Sequence, residues 1–223
     1  VQSLMIAVAV GTAVGINAFL SRTLGEKEFE KANLIAGNGI FIAMVSYAAF
    51  ALIGIFVSRP FFVSQTAIPE VREYGTAYLT ICCAASVGIF MQVTFERLLQ
   101  STGKTIYAMI TQGVGAVINL VLDPVLIFGL LGMPRMGVAG AAAATVIGQI
   151  AAACLALVFN LKFNREIRLS FKNLRPCGQL IAQIYKVGIP SIVMQAIGSV
   201  MTYGMNLILE SFGAAQTVFG VYF

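Results

Sequence analysis

Six stretches of this chain run for 20 or more residues with at most one charged side chain: 1–21, 32–58, 74–95, 105–134, 136–161 and 187–209. About 20 apolar residues of α-helix cross the roughly 30 Å of a bilayer's hydrocarbon, and a run of 18 or more is a candidate span. A backbone in lipid must satisfy its own hydrogen bonds, so the pattern predicts an all-α, polytopic transmembrane helical bundle. Only 10% of the residues are charged, against about a quarter in soluble domains, and the mean hydropathy is +0.90. Thr80, Ser86, Gln92 and Thr94 dilute the third stretch, which is the weakest of the six. A further span is expected to open near Gln216.

The basic residues punctuate these runs rather than form a patch, which argues against a nucleic-acid partner. Segments 22–31, 96–104 and 162–186 fall on one side and carry eleven of the fourteen Lys and Arg; the intervening segments carry three. The positive-inside rule places the first set in the cytoplasm and makes this a multi-pass protein of the cell membrane, with the lipid bilayer as its first partner. The chain then starts outside, so at least one preceding helix is expected, and both ends read as interrupted apolar runs. Within 162–186, residues 177–186 fit a short amphipathic helix on the inner leaflet or an ordinary linker.

Catalytic motifs are sparse. There is no histidine, which excludes His-based zinc sites and Ser-His-Asp triads. Cys82, Cys83, Cys154 and Cys177 lack metal-ligand spacing and fit small apolar residues. "STGKT" (101–105) looks like a phosphate loop, but the glycine needed at 98 is Leu and the segment follows a helix. No cofactor is expected, nor enzymatic activity. Gly11 and Gly15 form a GxxxG, a packing signal.

One residue does not fit a passive span. Asp123, the only aspartate, lies in "INLVLDPVLIF" (118–128). An ionised carboxylate at the centre of a membrane helix costs roughly 2.5–3.5 kcal/mol on insertion, and such residues face wet cavities, bind cations or take protons. Asn119 lies one turn earlier and Gln112 near the same face, giving a polar stripe. Pro124 frees a carbonyl near residue 120 as a further oxygen. Asp123 precedes Arg135 by 12 residues, about 18 Å if helical, which sets it well below the surface. The alternative is a structural aspartate, capping or joining helices near the outer surface.

"RLLQSTGKTIYAMI" (97–110), "INLVLDPVLIF" and "MGVAGAAAATVIGQ" (136–149) resemble consecutive blocks of the multidrug and toxic compound extrusion transporters. "LSRTLGEKEFEKA" (20–32) and "AYLTI" (77–81) resemble earlier blocks in the same order. The resemblance covers nearly the whole chain. It implies two six-helix bundles, with residues 1–161 giving most of the amino-terminal bundle without its first helix. Residues 162–186 would be the cytoplasmic linker, and 187–223 the start of the carboxy-terminal bundle.

It implies an antiporter that exports small organic cations in exchange for sodium ions or protons, working with the rest of the transporter chain. Asn119, Asp123 and Thr145 match the family's cation or proton site, with sodium as the metal in question, and Gln112 is a candidate cavity-lining residue. The family's further carboxylate, on helix one, has no counterpart here. Two alternatives remain. A lipid-linked oligosaccharide flippase of the same superfamily would carry basic side chains within the spans, and a non-transporting membrane scaffold would not need the three polar residues together.

Overall fold

A computed structural model describes residues 2–65, 69–129, 136–164, 166–169 and 171–210. The described chain is helical: α1 (Gln2–Gly25), α2 (Phe29–Gln65), α3 (Pro69–Ala84), α4 (Val87–Ser101), α5 (Thr105–Phe128), α6 (Val138–Phe163) and α7 (Gly178–Glu210), with a 3-10 turn at Phe171–Leu174. Five helices are long and apolar enough to cross a membrane, and α3 with α4 makes a sixth span bent by 43°. The fold is an all-α polytopic bundle, and large apolar side chains cover its outside. Phe56, Leu120 and Met194 are 72%, 73% and 78% exposed, the distribution expected where the surrounding solvent is lipid.

The third stretch is therefore two helices. At the break Ser86 N–H bonds to the Cys83 carbonyl and Gly88 N–H to that of Ala85, i→i−3 bonds that tighten the chain and redirect it. Two glycines let neighbouring helices close on this bent pair. A Cβ on Gly54 of α2 would meet the Cys83 side chain, and one on Gly88 would stand 3.1 Å from Gln149 and Ile150 of α6.

The basic segments gather at one end of the bundle. The Lys104 ammonium donates to the Phe163 carbonyl, joining the α4–α5 turn to the end of α6. Gly103 in that turn has φ +75°, left-handed backbone that glycine adopts without strain, so "STGKT" is a helix–turn–helix corner. From α2, the Asn33 carboxamide oxygen accepts from Arg168 N–H at 2.7 Å. Buried Asn38 accepts from Cys177 N–H at 2.8 Å and donates to the Arg175 carbonyl at 3.3 Å. Ile167 and Ile184 enter the same apolar core as Ile16, Leu20, Ile35 and Leu98. The described part of the connecting segment is thus tied to the bundle at several points.

Two expectations about this region change. Residues 177–186 do not form a separate helix; α7 begins at Gly178 and continues through Pro190 to Glu210, nine residues ahead of the expected boundary at 187. This early start lets α7 pack on α1. A Cβ on Gly11 would run into the Ile192 side chain, and one on Gly15 into the Ile184 carbonyl oxygen. The GxxxG pair is a backbone-to-backbone seam. The span expected near Gln216 lies outside the described residues.

Candidate functional site

The site is built on α4, α5 and α6. Close packing of the last two depends on Gly115 and Gly148: a Cβ on Gly148 would stand 2.9 Å from the Gly115 carbonyl oxygen, and one on Gly115 would meet Ala152 at 3.0 Å. At the basic end Tyr107 stacks on Phe163, with ring centroids 4.8 Å apart. Buried Asn160 on α6 donates to the Phe95 carbonyl at 2.9 Å and so fixes α4 alongside.

With α5 and α6 this close, Asn119 meets Thr145. The Asn119 amide nitrogen donates to Asp123 Oδ2 at 2.8 Å, and its carboxamide oxygen accepts from Thr145 Oγ1 at 3.1 Å, so the amide bridges the carboxylate and the hydroxyl. Asp123 Oδ1 is buried and has no hydrogen-bond partner among the described residues. A buried carboxylate oxygen left open is costly, and a cation or a proton would satisfy it.

The depth estimated from sequence is corrected. Helix α5 ends at Phe128 with Gly129 in the left-handed conformation (φ 70°), so the helix does not run on to Arg135, which lies outside the described residues. Met136 N–H bonds back to the Leu126 carbonyl, and Gly137 N–H to that of Ile127. Asp123 therefore sits five residues from the end of its helix, about 7.5 Å of rise rather than 18 Å.

Gln112 lines a cavity of about 320 Å3 whose walls also include Asn119, Thr145, Ile6, Val10, Ile89 and Val93. The same cavity holds a residue that the sequence reading assigned to a cytoplasmic loop. Glu96 belongs to α4, which runs to Ser101, and is 3% exposed. Its Oε1 accepts from Gln92 at 3.0 Å and from Thr111 at 3.2 Å, and its Oε2 accepts from Gln112 at 2.8 Å. The available signal was Gln92 one turn earlier on the same helical face.

Comparison with known proteins agrees with this architecture. The MatE family model matches residues 1–125. Among curated proteins, the multidrug export protein MepA of Staphylococcus saprophyticus is 26% identical over 200 residues, 90% of this chain and 44% of that protein. The protein of the same name from Staphylococcus aureus is 28% identical over 204 residues, with the same coverage of both chains. The chain thus spans less than half the length of these relatives. Among solved structures, the MATE multidrug transporter DinF-BH superposes with a TM-score of 0.89 at 31% identity, over 99% of this chain and 49% of that one. An inward-facing MATE family transporter of the MOP superfamily superposes with a TM-score of 0.80 at 23% identity, over 87% of this chain and 43% of that one, which shows the shared fold.

Proposed function

The chain belongs to the MatE family, and on that premise we propose that it works as a secondary antiporter exporting cationic, amphipathic organic compounds from the cell in exchange for sodium ions or protons. The chain up to the end of α6 at Phe163 would supply helices two to six of the amino-terminal bundle, the segment from there to Gly178 the linker, and α7 the start of the second bundle. The observation that carries the reading is the buried Oδ1 of Asp123, without a partner among the described residues, next to Asn119, which with Thr145 lines a cavity.

In the proposed cycle, ionised Asp123 makes the cavity attractive to an organic cation. A sodium ion or proton entering from outside neutralises the carboxylate, the cavity loses its charge complementarity, and the substrate leaves. Rocking of the two bundles about this site would alternate its access. The membrane potential adds roughly 2.3 kcal/mol per 100 mV for each positive charge moved inward. The flippase reading is weaker, because no Lys or Arg is among the described residues lining the cavity.

Two experiments test this. Reconstituted full-length protein should extrude ethidium only against an imposed sodium or proton gradient; extrusion independent of both gradients would overturn the antiport reading. Orientation is tested at Cys177, which is exposed at the basic end. A membrane-impermeant maleimide should label it in inverted vesicles and leave it unlabelled in intact cells. Labelling in sealed intact cells would reverse the topology.

A further inference from the structure

We propose that Glu96 is the anionic anchor for the organic cation, a binding station separate from the Asp123 cluster that takes the coupling ion; this rests on the transport reading above. Glu96 is a buried carboxylate, and among the described residues no Lys or Arg forms an ion pair with it. Neutral groups hold it instead: the amides of Gln92 and Gln112, and the Thr111 hydroxyl. That hydroxyl has one proton, and the Ala108 carbonyl oxygen at 2.7 Å competes for it. The charge is thus oriented and partly solvated but not neutralised. Buried charges without a countercharge are costly, and one facing a cavity is where a cationic ligand gains most from binding.

The cavity matches such a ligand. Its volume of about 320 Å3 lies at the small end of ligand sites, and apolar side chains surround the carboxylate on α1 and α4. An amphipathic organic cation would place its charge against Glu96 and its hydrocarbon against Ile6, Val10, Ile89 and Val93. Gln112, whose side chain covers Oε2, is exposed and free to turn aside as the ligand enters. Along α5, Gln112 and Asn119 are seven residues apart, about 10.5 Å. The two stations therefore use different oxygens yet lie close enough for one cation to repel the other. Exchange then follows from charge repulsion across one cavity, without competition for a single carboxylate.

The test measures binding of ethidium, and of the uncharged probe N-phenyl-1-naphthylamine, to purified full-length protein at pH 8 without sodium. Glu96→Gln should weaken ethidium binding about tenfold or more and leave the neutral probe unchanged, while Glu96→Asp stays within about threefold of wild type. Asp123→Asn, which fixes the coupling-ion site in its neutral form, should bind ethidium about as weakly as wild type does with sodium or acid, and neither should weaken it further. Equal binding of ethidium by wild type and Glu96→Gln, or an equal loss for both probes, overturns the proposal. Should Glu96→Gln fail to fold, Gln112→Lys places a fixed cation beside Oε2 and should weaken ethidium by a similar factor; wild-type binding there also overturns it. Wild-type protein that neither binds nor extrudes organic cations would instead remove the transport reading, and this inference with it.

Discussion

Asp123→Asn is expected to abolish gradient-driven efflux by the full-length protein, down to the rate of protein-free liposomes, while expression and folding stay normal. The substitution keeps the shape of the side chain and one acceptor for the Asn119 amide, so the loss of fold stability should be about 1 kcal/mol or less. What it removes is the negative charge and the second oxygen, which no group among the described residues satisfies. Thr145→Val should act in the same direction but less. It takes away the hydroxyl that orients Asn119, a loss of about 1 kcal/mol, roughly a fivefold weaker site. Wild-type efflux by Asp123→Asn at normal expression would return the carboxylate to a structural role.

Gly15→Leu should cause the largest loss of stability. Even the first added carbon would run into the Ile184 carbonyl oxygen, and that obstacle is backbone rather than a side chain that can turn away. Relief requires α1 and α7 to separate along the Gly11–Gly15 seam. Overpacking of this kind costs about 1–3 kcal/mol where side chains can yield, and more is expected here. Gly25→Ala is the control: nothing lies within 4 Å of a Cβ at that position, so its effect should stay within about 0.5 kcal/mol. Thermal unfolding followed by fluorescence-detected gel filtration separates the two. A Gly15→Leu protein that melts with wild type would show that α1 and α7 do not pack this way in the membrane.

The long spans are legible in the sequence because lipid allows few charges, so each basic turn marks a boundary. The same rule explains what was misread. Glu96 ends an apolar run next to Arg97 and so reads as the start of a loop, yet α4 continues five residues further. Its partners Thr111 and Gln112 arrive from α5, fifteen and sixteen residues away, and no local pattern reports them. Lys186 likewise marked a boundary for α7, although the helix forms through it and needs Ile184 for its contact with α1. The end of α5 was more accessible: Gly129 has the left-handed conformation that commonly closes helices, and Pro134 follows, a pair of stop signals that outweighs apolar continuity. The meeting of Asn119 with Thr145 depends on Gly115 facing Gly148, a register between helices that spacing within one helix does not contain.

The α1–α7 seam also sets a schedule for biosynthesis. Gly15 and the Ile184 it packs against are separated by 169 residues of chain. At roughly 5–20 residues per second, a ribosome needs on the order of ten to thirty seconds to make that stretch. Throughout that interval the small-residue face of α1 has only lipid or the insertion machinery for company, while α2 to α6 are threaded one after another. A slow codon cluster or a stall before residue 178 prolongs that exposure and favours association of α1 with the same face on a neighbouring nascent chain. Misassembly of this origin would depend on the rate of translation, even for a sequence whose finished fold is unchanged.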